Sequence, residues 1–137
     1  MTARKYPLES LFKALADRTR LRILNLIVDR ELCVCYFTQV LNTSQPKISR
    51  HLAYLRRVGN VGVRREGKWM HYSLRMPDDP VASSILRQAL AHLKDAPEMR
   101  RDRERLNHAC CDPQRYMLIR NAPQPALVST YSAPLSS

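Results

Sequence analysis

Residues 31–59 read ELCVCYFTQVLNTSQPKISRHLAYLRRVG. The spacing predicts two short helices joined by a tight turn. Ser44 stands where a cap is expected, and a Ser oxygen accepts from a free backbone N–H. Gln45 and Pro46 follow, and a first-turn Pro removes a donor that has no helical partner anyway. Ile48, Leu52 and Leu55 recur at four and three residues and define one apolar face. Lys47, Ser49, Arg50, Arg56 and Arg57 fall elsewhere, and Gly59 sits at the expected stop. Asn42 and Thr43 supply the turn, with Phe37, Val40 and Leu41 facing inward before it. A short cationic helix with an apolar back suits the DNA major groove as the second helix of a helix-turn-helix. The same features also describe a solvated basic helix in a small bundle.

Beyond Gly59 the pattern alternates. Val61 and Val63 point one way, as do Met70, Tyr72 and Leu74 on the return, with Glu66-Gly67 as the two-residue turn. Arg64, Arg65 and Lys68 cluster at the tip, so the hairpin reads as a wing that touches backbone or minor groove. Trp69 packs on the hairpin. Upstream, Leu8, Leu11, Phe12 and Leu15 form the core stripe of a first helix. Asp17 caps a second, with Leu21, Leu24, Ile27 and Val28 inside and Arg18, Arg20 and Arg22 solvated. Pro77 to Pro80 is a linker. From Val81 a long helix carries Ile85, Leu86, Leu90 and Leu93 on one face, an apolar surface with no evident partner in a short chain and hence a dimer surface. Pro97 interrupts it, and residues 98–108 read as an exposed polar helix ending near Cys110-Cys111. From Asp112 onward, Pro113, Pro123, Pro125 and Pro134 among Ser, Thr and Ala predict a flexible tail.

The chain has 137 residues, enough for one domain plus a tail. Lys and Arg number 23 against 12 Asp and Glu, a net charge of +11, which favours a polyanionic partner such as nucleic acid. No apolar run reaches the roughly 18 residues of a membrane span. MTARKYPLESLF lacks a secretory signal, so a cytoplasmic location is expected, where thiols stay reduced. Two close cysteine pairs, Cys33/Cys35 and Cys110/Cys111, then argue for soft-ion binding or redox chemistry. A CxxC motif, a phosphate or dinucleotide loop and a base beside the cysteines are all lacking, which argues against an enzyme.

ELCVC, SQPKISRHL and GKWMHY together resemble the ArsR/SmtB family of dimeric, metal- or metalloid-responsive winged-helix repressors, the arsenic-responsive members above all, from about Leu8 to about Leu93. The resemblance implies a mainly α fold with a β-hairpin wing (α+β), dimeric through terminal helices and bound to double-stranded operator DNA. The expected division is a DNA-binding and dimerisation domain over 1–96, a helical extension with the cysteine pair over 97–111, and the tail over 112–137. Gln45, Ser49 and Arg50 are the expected base-facing residues, with Lys47, Arg64, Arg65 and Lys68 on phosphates and Ser44 counted with the DNA-binding set. The family often has a third cysteine where this chain has Thr38. Cysteines before the first helix, used by some members, are absent before Cys33. The Asp/His zinc site of others has only His92 to match it, and His51, His71 and His108 read as structural or DNA-facing.

Cys33 and Cys35 fall near a helix start with Arg30 close in sequence, and both features favour thiolate. Residues two apart on a helix do not face each other. Gripping one atom is therefore expected to unwind the first turn of the helix before the recognition helix. Thiolates select soft ions, so trivalent arsenic or antimony is the expected inducer, with no cofactor permanently bound. Arsenite takes three sulfurs, the third coming from Cys110 or Cys111. A methylated arsenical needs only two, from Cys33/Cys35 or from the C-terminal pair. All four cysteines together would instead suit cadmium, lead or zinc. A redox sensor linking Cys33–Cys35 or Cys110–Cys111 is the other alternative.

Overall fold

Helices α1 (Leu8–Leu15) and α2 (Arg18–Leu26) open the chain in a computed structural model that describes residues 6–128. Asp17 caps α2 by accepting from the Arg20 N–H at 3.0 Å, as its position predicts. A short strand β1 (Arg30–Cys33) then runs straight into α3 (Val34–Leu41). Asn42 closes α3 in the left-handed conformation, φ 51, which Asn tolerates better than most residues. The recognition helix α4 (Gln45–Arg57) follows, with Ile48, Leu52 and Leu55 buried. Ser44 occupies the N-cap with extended dihedrals, but its side chain makes no capping bond. Gly59, at φ +87, turns the chain into the hairpin.

Strands β2 (Val61–Glu66) and β3 (Trp69–Leu74) pair antiparallel with Val61 opposite Leu74 and Glu66 opposite Trp69. The two turn residues are therefore Gly67-Lys68, one step later than Glu66-Gly67, with Gly67 at φ +59. Strand β1 pairs with β3, Leu32 opposite Tyr72, so the wing is anchored to the strand that carries Cys33. A two-residue strand β4 (Ala126–Leu127) covers the other edge of β1, giving the order β2-β3-β1-β4.

Asp79 caps α5 (Pro80–Leu93) by accepting from the Ala82 N–H at 2.8 Å. Leu86, Leu90 and Leu93 are buried within the protomer, where α5 packs on α1 and α2. The apolar face of α5 therefore already has a partner. Exposed apolar side chains on the helices are Leu8 and Phe12 on α1, both expected as core, and Val81 at the start of α5, with Met117, Leu118 and Leu127 exposed in the C-terminal segment.

Helix α6 (Pro97–Cys111) is docked rather than exposed, lying against α2 and α3 with Met99, Asp102, Leu106 and Ala109 buried. Asp102 explains why so polar a sequence docks. Its carboxylate accepts from Arg22 Nε at 2.8 Å and Nη2 at 3.0 Å, a paired fork that satisfies both groups. Arg103 donates to Asn25 Oδ1 at 2.6 Å, and Asn25 donates to the Met99 carbonyl at 3.0 Å. Arg18 bonds Glu98 at 2.6 Å, and Arg20 donates to the Ala14 and Lys13 carbonyls at 2.9 and 2.8 Å. These three α2 arginines are thus structural, not simply solvated.

Residues 113–128 do not run free from Asp112. A single 3₁₀ turn (Pro113–Arg115) reverses the chain, Ile119 is fully buried, and the Val128 N–H donates to the Asp29 carbonyl at 3.0 Å. The remainder of the expected tail, residues 129–137, lies outside the described residues, as do 1–5. Among the described residues no helix is long and apolar enough to cross a membrane.

The buried Arg22–Asp102 pair generates a stability prediction. Asp102→Ala should lower unfolding free energy by about 3 kcal/mol, since it removes both hydrogen bonds to the Arg22 guanidinium and leaves it only the longer Glu98 contact at 3.8 Å. Arg18→Ala, which breaks a pair open to solvent, should cost less than about 1 kcal/mol. Urea denaturation followed by circular dichroism compares the two, and equal losses would contradict the docking role of Asp102.

Candidate metalloid site and nucleic-acid interface

Cys33 ends β1 and serves as the N-cap of α3, with φ −84 and ψ 165, while Cys35 lies in the first helical turn. The backbone changes direction between them. Their sulfurs consequently converge to 2.8 Å, as one thiol donating to the other. The expectation that a CxC pair must unwind a helix before it can chelate does not hold. That expectation assumed both residues were helical, and the strand before α3 removes the assumption.

Cys33 is buried and Cys35 half-buried, and all four cysteines are free thiols. The bond from Cys35 pulls the Cys33 thiol below the usual thiol range against the opposing effect of burial, with the Tyr36 and Cys35 N–H groups assisting. Cys35 is pushed up in turn, by its bond to Cys33 and by burial. Arg30, expected to activate Cys33, points to α6 instead and donates to Cys110 Sγ at 3.5 Å and to Asn107 Oδ1 at 2.6 Å. Burial raises the Cys110 thiol, with Arg30 opposing it. Cys111 is exposed. Between the pairs lies Tyr36, its hydroxyl buried without a hydrogen-bond partner and pushed up to about 12 by that burial. Among the described residues, no three His, Cys, Asp or Glu side chains converge on a point that could hold an ion. The two cysteine pairs therefore form no such group between them.

A cavity of about 510 Å³ opens beside the Cys33/Cys35 pair. Its lining includes Thr38 of α3, Gln45 of α4, and Lys68, Trp69 and Met70 of the wing, together with Leu118 from the C-terminal segment. Thr38, in the position of the missing third cysteine, donates its hydroxyl to the Val34 carbonyl at 2.8 Å and lies 3.2 Å from that of Cys35. Sequence reasoning found Trp69 only as hairpin packing and did not find Leu118, for which no motif exists.

Ser44, Gln45, Lys47, Ser49 and Arg50 are all exposed on α4. On the wing, Arg65 and Lys68 are exposed, and Lys68 Nζ sits 5.3 Å over the Trp69 ring. Arg64, also exposed and expected on a phosphate, has a partner within the sheet. It donates to Glu31 from Nη2 at 2.7 Å and from Nε at 3.2 Å, crossing the sheet to β1. That guanidinium holds the Glu31 carboxyl below its usual range. His71 similarly meets Glu66 at 3.0 Å.

The model of the "Bacterial regulatory protein, arsR family" matches residues 17–61, from the cap of α2 to the start of β2. The "Arsenical resistance operon repressor" of Escherichia coli is 50% identical over 80 residues, covering 58% of this chain and 68% of that protein. The "Arsenic resistance transcriptional regulator ArsR1" of Pseudomonas putida is 54% identical over 71 residues, 51% of this chain and 55% of the relative, so the match spans just over half its length. Among solved structures, reduced HlyU from Vibrio cholerae superposes with a TM-score of 0.52 at 34% identity, over 63% of this chain and 83% of that one.

The sulfur pair should titrate in two separate steps. One thiolate appears below the usual thiol range, because the remaining S–H stabilises it, and the second proton stays on past that range. Ultraviolet thiolate absorbance against pH checks this. In Cys35→Ala the low step should vanish and Cys33 should titrate upward, since burial then acts without the donor.

Proposed function

The chain belongs to the ArsR family of bacterial regulatory proteins, and on that premise we propose a homodimeric repressor that leaves its operator when trivalent arsenic or antimony binds Cys33 and Cys35. It is a DNA-binding transcriptional repressor and not an enzyme. The observation that carries the finer reading is the shared cavity: the cysteine pair, the first residue of the recognition helix and Lys68 of the wing line one space. An inducer bound there presses on Gln45 and Lys68 directly. Release then requires no unwinding of α3, only displacement of the two elements that would hold DNA. Cys110 and Cys111 are not needed for that step.

On DNA, Gln45, Ser49 and Arg50 take base edges, with Ser44 beside them at the start of α4, while Lys47, Arg65 and Lys68 take phosphates. Arg64 serves mainly to tie the wing to β1 through Glu31. An operator titration tests readout and response together. Arg50→Ala should weaken specific binding by about 1–3 kcal/mol and relax sequence preference. Cys33→Ser should bind operator normally and ignore arsenite. If arsenite still releases Cys33→Ser but not a Cys110→Ser/Cys111→Ser protein, the sensing site lies at the C-terminal pair.

The dimer surface is the exposed apolar set on α1 and α5, Leu8, Phe12 and Val81, rather than the buried face of α5. A two-fold dimer places two α4 helices for half-sites one helical turn apart. Phe12→Asp should convert the protein to monomer in sedimentation at micromolar concentration and lower operator affinity. An unchanged sedimentation coefficient would remove α1 from the interface.

A redox-sensing reading has one observation in its favour, the 2.8 Å sulfur separation, from which a disulfide needs little movement. Release of operator by peroxide and its reversal by a thiol reductant, with arsenite inert, would favour it over metalloid sensing.

A further inference from the structure

Helix α4 rests on the apolar face of Ile48, Leu52 and Leu55. Apolar contact is non-directional, so it sets the seat of a helix more firmly than its angle. A polar side chain from α2 meets the flank of α4 beside that face. The Arg20 guanidinium carbon lies 4.2 Å from the centre of the Tyr54 ring, and Nη1 stands 3.4 Å from His51 Nδ1. His51 and Tyr54 are three residues apart and therefore neighbours on the helix surface. Two further donors of Arg20 go to the last turn of α1, Nε to the Ala14 carbonyl at 2.9 Å and Nη2 to the Lys13 carbonyl at 2.8 Å. Carbonyls of a last turn lack their usual helical donors. One planar group thus closes α1 and grips α4. The Arg20 and His51 side chains are only 14% and 16% exposed, so neither is well placed to reach DNA itself.

Resting on the assignment of Gln45, Ser49 and Arg50 to base edges, we infer that Arg20 is a positioning residue for operator recognition. By holding His51 and Tyr54 to the end of α1, it fixes the angle at which α4 presents those three side chains. His51 directly follows Arg50 and stands one turn beyond Lys47, so a shift at His51 moves both. Phosphate contacts tolerate such a shift better than base contacts, which carry the sequence information.

The tie has a condition. An Arg side chain only donates, so His51 Nδ1 must accept, with the imidazole proton on Nε2. Burial holds the His51 imidazole below its ordinary range, against the pull of Asp17 at 3.9 Å and with the charges of Arg20, Lys47 and Arg50 assisting. The tie is therefore present at neutral pH. It is lost as pH falls through that lowered value, when Nδ1 becomes a second donor facing Arg20. Protonation also adds a positive charge near DNA, which strengthens binding to any sequence. The tie is read, then, in the preference between sequences and not in affinity alone.

The test uses the full reduced chain and two duplexes, one that the wild type enriches from a random pool and a scrambled control. Binding is followed by fluorescence anisotropy from about pH 8 to about pH 5.5, across the ordinary imidazole range and below it. Wild-type preference for the enriched duplex should fall severalfold toward low pH, while binding to the control holds or rises. His51→Asn, whose amide oxygen replaces Nδ1 as acceptor and does not titrate, should keep its preference throughout. Arg20→Lys retains the charge but not the flat fork. It should lose preference roughly tenfold, inside the range for residues in direct contact, with control binding unchanged. A residue that merely touched a phosphate would tolerate that change. Adding His51→Leu to Arg20→Lys should lower preference little further, as for two groups that act through one contact. A wild-type preference flat with pH, a His51→Asn profile that falls like the wild type, an intact preference in Arg20→Lys, or losses that add in the double variant would each overturn the inference. If Arg20→Lys does not fold by circular dichroism, the two His51 profiles decide alone. Should the wild type enrich no sequence, the base-reading assignment of α4 fails instead.

Discussion

Everything near the candidate site depends on the change of backbone direction between Cys33 and Val34. The chain enters that junction as a strand bonded to the wing and leaves it as the helix that leads to α4. An extended residue at the N-cap followed by helical ones turns side chains two apart toward each other, which neither a helix nor a strand alone would do with such closeness. The 2.8 Å sulfur contact is a product of that geometry. So is the cavity, since wing and recognition helix are held on either side of one short connection.

The second constraint is the seating of α6. Its sequence, EMRRDRERLNH, carries too few apolar residues to dock by burial alone, and its buried residues are Met99, Asp102, Leu106 and Ala109. Polar complementarity with α2 supplies the remainder, through Arg22 to Asp102 and Arg103 to Asn25. A paired buried charge contributes modestly to stability but specifies one arrangement, because alternatives leave Arg22 or Asp102 unpaired. Seating α6 fixes where the chain reverses at Pro113, and so brings Leu118 to the cysteine cavity.

These two constraints explain what could be read in the sequence and what could not. Helices with a regular apolar period were legible, as were Gly59, Gly67 and the alternation in the hairpin, because local chemistry specifies them. Strand β1 was not, because four residues, RELC, carry no period of their own and become a strand only by pairing with β3. The partners of Arg22, Arg30 and Arg64 were equally hidden, since each lies 33 to 80 residues away in sequence. Reading α5 as an unpartnered face failed for the same reason: its partner, the pair α1 and α2, lies at the other end of the chain. In the candidate site, the cysteines and exposed α4 residues came from motifs, whereas Leu118 came only from the fold.

The hidden strand also changes what coupling has to accomplish. With both cysteines in a helix, inducer binding would carry the cost of unwinding a turn, several backbone hydrogen bonds at roughly 0.5–1.5 kcal/mol each. That cost would subtract from inducer affinity whether or not DNA is present, and would couple to DNA only so far as the unwound turn disturbs α4. With the sulfurs already converged, none of it is incurred in the free protein. Under the proposed mechanism the conflict would arise only when DNA holds Gln45 and Lys68 in place, which would make the penalty differential between the bound and free states. Only a differential term shifts an equilibrium, and a typical coupling of about 1–3 kcal/mol corresponds to 5- to 150-fold in affinity. On the proposed reading, a preformed thiol pair sharing walls with the elements assigned to DNA would join tight inducer capture to operator release without sacrificing one for the other.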